Sequence, residues 1–122
     1  MIIVDTSIWI DHLHKGEQVM EWLLAEDAVM LHPFVLGEIA LGSLRNRKQT
    51  LAELRAVPVA PVVAQEDVLE LVDRQKLSGS GIGLIDAHLI ASTLLDAGDL
   101  LWTKDRRLAV VAERLGIDAA TI

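Results

Sequence analysis

The 122-residue chain contains no cysteine and no tyrosine, one phenylalanine and only three tryptophans. The absence of cysteine excludes disulfides, thiolate metal sites and thiol catalysis. The scarcity of aromatic side chains argues against a surface that recognises nucleic-acid bases mainly by stacking. The sequence shows no secretory signal, and no apolar run approaches the roughly 20 residues that span a bilayer. We therefore expect a soluble, cytoplasmic protein.

Positive charge is also in short supply, because the formal net charge is −7. An acidic balance opposes nucleic-acid binding, since nucleic-acid-binding proteins usually present basic faces. The objection weakens if several of the acids hold a cation, which inverts the local field. The basic residues are concentrated at positions 45–48 and 104–107. A solvated helix end is the simpler interpretation of each basic segment taken alone.

Hydrophobic residues make up 52% of the chain, which is enough for one domain, residues 1–122, with a buried core. Short apolar segments alternate with helical patterns. The predicted strands are residues 1–4, 28–31, 100–102 and 119–122, with 57–63 as an edge strand at most. One helix is predicted to follow Asp5, and the others at 17–25, 33–44, 50–56, 67–77, 84–97 and 104–115. This order predicts an α/β fold in which helices cover both faces of a parallel central sheet of four to five short strands.

Two acidic residues directly follow predicted strands. Asp5 comes after the first strand, and Asp105 comes shortly after the strand at 100–102. Open α/β sheets bind ligands at the carboxyl ends of their strands, so both carboxylates are candidates for a site. The alternative is that each acid caps the helix that follows it, with Thr103 as a second candidate cap beside Asp105.

Two further acids lie on predicted apolar helices. Glu38 lies one turn from Phe34 and Leu41, and a carboxylate inside such an apolar stripe should be paired or metal-bound. The alternative is an edge position where the acid reaches water. Asp86 opens the helix at 84–97 after a glycine-rich loop, where an acid can also serve simply to complement the helix dipole.

Carboxylates drawn together from distant parts of a chain repel one another, and a divalent cation relieves that repulsion. Oxygen ligands without cysteine or histidine favour Mg²⁺ or Mn²⁺ over Zn²⁺. His12 and His14 do not share a helix face and make a poor metal pair. His32 and His88 are interpreted as surface or helix-start residues, and we assign no histidine a catalytic role.

Four segments of the sequence together resemble a known family: residues 3–7, 37–38 with Gly42, 83–91 and 101–108. In this order and spacing, the chain resembles the PIN-domain ribonucleases, and in particular the VapC-type toxins of bacterial and archaeal toxin–antitoxin pairs. The resemblance extends over essentially the whole chain. It implies a parallel sheet with helices on both faces, in agreement with the fold predicted above.

The resemblance also implies site residues and an activity. The acidic metal-binding quartet of the family falls on Asp5, Glu38, Asp86 and Asp105, which would hold one or two Mg²⁺ or Mn²⁺ ions. Thr6 and Thr103 match hydroxyl positions that would orient carboxylates or a bound water. The implied activity is metal-dependent endoribonuclease cleavage. Candidate residues for gripping the RNA backbone are Arg45, Arg47, Lys48, Lys104 and Arg106.

The implied partners are an RNA substrate, a cognate VapB-type antitoxin whose C-terminal segment wraps the toxin, and a second copy of the chain in a homodimer. The alternative from a different functional class is a PIN-fold module that binds RNA or protein without cleaving it. A phosphoryl-accepting domain fits poorly. A receiver needs a second acid beside Asp5, where Thr6 stands, and an aspartate-nucleophile phosphatase needs an acid at the position of Ser7.

Overall fold

Three short strands form the central sheet of the protein in a computed structural model that describes residues 1–119. They are β1 (Ile2–Val4), β2 (Val29–Met30) and β3 (Leu100–Trp102). The strands are parallel in the order β2-β1-β3, and Val4 pairs with Trp102 at the carboxyl ends of β1 and β3. Because the central strand β1 is flanked on both sides, the residues that follow β1 and β3 emerge side by side at one edge of the sheet.

The described residues also form seven helices, several of which begin or end at residues that suit those positions. A backbone φ of +75° at Gly16 terminates α1, and Pro33 supplies the first residue of α3. None of the helices between residues 1 and 119 is long and apolar enough to cross a membrane. The helices are α1 (Thr6–Lys15), α2 (Gln18–Ala25), α3 (Pro33–Leu41), α4 (Arg47–Arg55), α5 (Gln65–Arg74), α6 (Leu84–Leu94) and α7 (Arg106–Arg114).

The parallel α/β arrangement is confirmed, but the prediction of four to five strands is wrong for the described part of the chain, which has three. Residues 57–63 contribute one parallel bridge, between Val59 and Leu31, because Pro58 and Pro61 have no N–H for a continuous ladder. Of the strand predicted at 119–122, all but the first residue lies outside the described residues. Just before it, Asp118 forms a single bridge to Leu101.

Each predicted helix is present, with ends displaced by a few residues. The helix after Pro33 ends at Leu41 rather than residue 44, and the next begins at Arg47 rather than residue 50. Helix α6 ends at Leu94, so Gly98, with a φ of +93°, lies in the turn beyond it and does not close the helix itself. Local capping signals therefore indicate that a helix ends nearby without fixing its last residue.

The core lies where α6 packs against β1 and β3. Ile3, Leu89, Ile90 and Leu101 are among its fully buried side chains. Burying an aliphatic side chain of this size contributes about 1.5–3 kcal/mol, so these residues hold helix and strands in a fixed relation. This packing brings the first turn of α6 toward the edge at which β1 and β3 end.

Candidate active site

Asp5 is held at the carboxyl end of β1 by two hydrogen bonds to its side chain. Oδ1 accepts from the Thr6 N–H at 2.7 Å, and Oδ2 accepts from the Thr103 hydroxyl at 2.7 Å. The backbone N–H of Asp5 also donates to the Trp102 carbonyl at 2.9 Å. Asp5 is therefore the N-cap of α1 and is tied to the end of β3 as well. The residue as a whole is only 9% exposed, yet each carboxylate oxygen keeps a lone pair available for another ligand.

Thr103 connects Asp5 to Asp105. The Thr103 hydroxyl donates to Asp5 and accepts from the Asp105 N–H at 3.0 Å. Asp105 in turn caps α7, where its Oδ1 accepts from the Leu108 N–H at 3.0 Å. Asp5 and Asp105 thus cap the helices that follow them, as one interpretation predicted, and they also lie close together. The two caps lie side by side because β1 and β3 are paired neighbours.

Asp86 lies in the first turn of α6, where its Oδ2 accepts from the Gly83 N–H at 3.0 Å. Burial raises the pKa of the Asp86 carboxyl above its ordinary value, and the Gly83 hydrogen bond opposes that rise. The negative charges of Asp5 and Asp105 raise the pKa of Asp86 further. The three acids therefore act on one another electrostatically. We call Asp5, Asp86 and Asp105 the carboxylate cluster.

Glu38 has a different environment from the one predicted. Its side chain is exposed, and so are Phe34 and Leu41, whereas Val35 and Ile39 form the buried face of α3. The expectation of a carboxylate inside a buried apolar stripe is therefore wrong. Because α3 is apolar on more than one face, its sequence does not indicate which face packs inward. Among residues 1–119, none donates a hydrogen bond to the Glu38 carboxylate.

The carboxylate cluster presents hard oxygen donors of the kind that Mg²⁺ and Mn²⁺ prefer. Asp86 Oδ1 and Asp105 Oδ2 accept no hydrogen bond from the described residues, so these oxygens remain available. Within residues 1–119, no three acidic or histidine side chains already stand in a metal-binding arrangement. The donor set and its mutual repulsion thus fit a divalent cation.

The basic residues predicted to grip RNA are all exposed but lie in different places. Lys104 forms an ion pair of 3.6 Å with Asp11 on α1, and Arg106 begins α7 directly beside Asp105. Arg47 donates to the carbonyls of Ala40 and Gly42, so it helps to hold the α3–α4 connection. Arg45 lines a cavity between α1 and that connection, and Lys48 lies in the first turn of α4. Of the five, Lys104 and Arg106 flank Asp105 directly in the chain, and Arg106 is the one without an ion pair among the described residues.

His32 and His88 are buried, so the expectation that they lie at the surface is wrong. His32 does begin a helix, because its Nδ1 accepts the Phe34 N–H at 3.0 Å as the cap of α3. Phe34 packs edge-on against both imidazole rings, 5.0 Å from His32 and 4.8 Å from His88. Burial, with a smaller contribution from His88, lowers the pKa of His32 to about 4, so His32 is neutral at physiological pH. The Pro33 that follows His32 was the available signal for its capping role.

Residues 2–114 of the chain match the PIN domain family. The chain is also 42% identical over 120 residues to proteins named Ribonuclease VapC32 from two strains of Mycobacterium tuberculosis, CDC 1551 / Oshkosh and ATCC 25618 / H37Rv. Each alignment covers 98% of this chain and 97% of the relative. The family match spans the segments that carry the carboxylate cluster. The chain belongs to the PIN-domain family, as the resemblance in its sequence predicts.

Proposed function

We propose that this protein is a metal-dependent endoribonuclease that acts as the toxin of a VapBC-type toxin–antitoxin system and inhibits translation or growth. The observation that carries the proposal is the carboxylate cluster, in which burial and then the charges of two strand-end acids raise the pKa of a third acid at the start of α6. Repulsion and desolvation in such a cluster destabilise the fold, and perturbed carboxylates of this kind are typical of functional sites. The cluster lies at the carboxyl edge of a parallel sheet, the edge at which open α/β proteins bind their ligands. The similarity to relatives named as ribonucleases supports RNA as the substrate.

The proposed metal ligands are Asp5, Asp86 and Asp105, joined by Glu38 from α3. When bound, Mg²⁺ or Mn²⁺ would lower the pKa of a water for attack on an RNA phosphodiester and would offset charge on the phosphate. Asp5 and Asp105 would be presented by the ends of paired strands, which fixes their spacing. Glu38 would have to reach the site from an exposed helix position.

Thr103 is the proposed positioning residue of the site. Its hydroxyl orients Oδ2 of Asp5 and, through the Asp105 N–H, the start of α7. A hydrogen bond of this kind fixes the orientation of a carboxylate and restricts its rotation before a cation binds. Thr6 contributes its backbone N–H to Oδ1 of Asp5, and we propose that its hydroxyl faces the bound water.

The remaining proposals concern the setting in which the enzyme acts. We propose that residues 1–122 form one nuclease domain, that it acts in the cytoplasm, and that it forms a homodimer. We further propose that a VapB-type antitoxin binds it and blocks the site. The exposed apolar side chains of the chain, including Leu41 at 89% exposure, leave surface for such contacts.

The alternative is a PIN-fold module that binds RNA or protein without cleaving it. The presence of all four acids disfavours it, because a binding module gains nothing from the mutual repulsion within the carboxylate cluster. A cleavage assay separates the two functions.

The test is incubation of the purified, antitoxin-free protein with total cellular RNA in Mg²⁺, in Mn²⁺ and in EDTA. We expect discrete fragments that require the metal, and a loss of at least about 10²-fold in rate for Asp5→Asn. Asp73→Asn, on the exposed face of α5, is the matched control and should cleave normally. An Asp5→Asn protein that cleaves at the wild-type rate would contradict the proposal. A folded wild-type protein that binds RNA without cutting it would favour the binding module.

A further inference from the structure

A groove of about 470 Å³ lies between α7 and the turn that precedes the glycine-rich loop. Four of its lining residues are cationic and exposed: Lys76, Arg106, Arg107 and Arg114. We call this feature the basic groove. The chain has only 11 lysines and arginines and a net charge of −7, so the groove gathers more than a third of the positive side chains in one place. The groove is therefore a positively charged surface on a protein whose net charge is negative.

Two of the four cations are held against the opposite wall of the groove. The Arg107 side chain lies across Gly81, where an added Cβ would come within 2.7 Å of the arginine Cδ. Gly81 also has a φ of +87°, a backbone conformation that favours glycine, and the absent side chain leaves room for Arg107. Arg114 donates from Nη2 to the Gln75 carbonyl at 2.9 Å. The groove is therefore partly ordered before any ligand binds.

The cations of the basic groove are not neutralised by the ion pairs seen in residues 1–119. Those ion pairs join Met1 to Asp99 and Lys104 to Asp11. The single hydrogen bond that Arg114 makes to a backbone carbonyl leaves its charge uncompensated. Four cations kept close together without acidic partners repel one another, which favours the binding of an anion.

Both walls of the basic groove are formed by residues close in the chain to residues of the carboxylate cluster. On one wall, Arg106 directly follows Asp105, the cap of α7. On the other wall, Gly81 is two residues from Gly83, whose N–H binds Asp86. A ligand that extends along the groove toward the start of α7 therefore approaches Asp105.

The lining of the groove indicates the chemistry that would recognise such a ligand. It has guanidinium and ammonium groups, the Ser80 hydroxyl and aliphatic side chains, and none of its lining residues is aromatic. Ser80 Oγ is shielded from solvent and has no hydrogen-bond partner among the described residues. Guanidinium groups bind phosphate oxygens well, and the groove has no aromatic side chain on which bases could stack. The groove thus suits a phosphate backbone rather than base edges.

We propose that the basic groove binds the phosphates of the single-stranded RNA segment next to the scissile bond, through Lys76, Arg106, Arg107 and Arg114. The inference rests on the proposed ribonuclease function and deepens it. It adds Lys76, Arg107 and Arg114, which the basic segments of the sequence alone do not bring together. The cations would offset the repulsion between RNA and the carboxylate cluster and hold the strand in place for cleavage.

The test is the affinity of a short, fluorescent single-stranded oligoribonucleotide in the Asp5→Asn background, measured by anisotropy at fixed Mg²⁺. Lys76→Gln combined with Arg107→Gln should weaken binding by about tenfold at low salt. The slope of log affinity against log salt, between about 50 and 200 mM, should become shallower by about 0.7 for each lost phosphate contact. Arg114→Gln, as a separate variant, should weaken binding in the same direction. Lys15→Gln combined with Arg55→Gln removes the same charge outside the groove and serves as the control.

Circular dichroism establishes that each variant is folded before its affinity is compared. Equal affinity and equal salt slope in the groove variants and the control would overturn the inference. If the wild-type protein still cleaves RNA in that case, the proposed function survives and only the groove assignment fails. A wild-type protein that neither binds nor cuts RNA would remove both. If the groove variants lose binding to polyglutamate but keep their RNA affinity, the groove belongs to an acidic protein partner and the inference is overturned.

Discussion

The carboxyl edge of the sheet and the exposed face of α3 both carry acids of the proposed site, but they hold those acids in different ways. At the sheet edge, Asp5 and Asp105 are fixed by strand pairing, by helix capping and by the shared Thr103 hydroxyl. On α3, Glu38 is exposed and receives no hydrogen bond from the described residues. The fold thus preorganises one part of the site and leaves the other free to move. Preorganised ligands should affect both the metal affinity and the cleavage rate, and a mobile ligand mainly the metal affinity.

The largest expected effect in this comparison comes from removing the hydroxyl at the sheet edge. Thr103→Val keeps the side-chain shape but leaves Asp5 Oδ2 and the Asp105 N–H without their partner. We expect cleavage to fall by about 10- to 100-fold, the range for groups that orient metal ligands. The free energy of unfolding should fall by about 1–3 kcal/mol, because polar groups are left unsatisfied. Steady-state cleavage and thermal unfolding measure the two effects.

Two variants separate this positioning role from general loss of stability. Thr103→Ser keeps the hydroxyl and should restore most of the activity. Thr93→Val removes a buried hydroxyl that donates to the Leu89 carbonyl within α6, and it should leave cleavage close to wild type. Normal cleavage by a folded Thr103→Val protein would show that the hydrogen-bonded edge does not organise the site.

A smaller effect is expected from the acid on α3. Glu38→Gln should raise the Mn²⁺ concentration for half-maximal cleavage by about tenfold, while the maximal rate changes little, because the loss acts on ligand charge. The free energy of unfolding should change by no more than about 0.5 kcal/mol, as for other exposed positions. Glu66→Gln on α5 is the matched control. A Glu38→Gln variant as inactive as Asp5→Asn would mean that Glu38 is fixed in the working enzyme, and the contrast between the two regions would fail.

The smallest expected effect concerns stability without metal. Because folding raises the pKa of Asp86, the folded protein binds this proton more tightly than the unfolded chain. The contribution of Asp86 to stability is therefore fully present below its unfolded pKa of 3.8 and is lost as pH rises through the folded value. Asp86→Asn, which cannot ionise, should melt at a slightly higher Tm than wild type in EDTA at neutral pH. This advantage should vanish near pH 3.8.

Adding Mn²⁺ should reverse that order, since a bound cation stabilises the wild-type carboxylates and not the asparagine. Thermal melts of wild type, Asp86→Asn and the exposed control Asp73→Asn, with and without Mn²⁺, measure both parts. A lower Tm for Asp86→Asn in EDTA at neutral pH would contradict the electrostatic description of the carboxylate cluster.

The sheet edge could be predicted from the sequence because its signals are local. Apolar β-branched residues before Asp5, and an apolar triplet before Thr103 and Asp105, identify two buried strands and the acids that follow them. Parallel pairing then places both acids at one edge without further information. The prediction that the cluster binds a metal came from the repulsion among its carboxylates and from the family resemblance, since capping alone does not indicate it.

The environment of Glu38 and the burial of the histidines could not be predicted because they depend on tertiary packing. Helix α3 carries apolar residues on its exposed and buried faces, so periodicity does not distinguish Leu41, which is exposed, from Ile39, which is buried. His32 and His88 have polar side chains, which usually indicate surface positions. Their burial depends on tertiary contacts such as the packing of Phe34 against both imidazole rings. The strand number was overestimated for a similar reason. Extended segments rich in proline can pair at one residue without forming a ladder.

The most direct test of the central claim, that the carboxylate cluster forms one cation site, is Mn²⁺ binding measured by electron paramagnetic resonance on the RNA-free protein. Wild type should bind Mn²⁺ in competition with Mg²⁺. Asp5→Asn, Asp86→Asn and Asp105→Asn should each weaken the affinity by at least about tenfold, since even groups that only orient ligands have effects of that size. Wild-type Mn²⁺ affinity in all three variants, each shown to be folded, would contradict the claim.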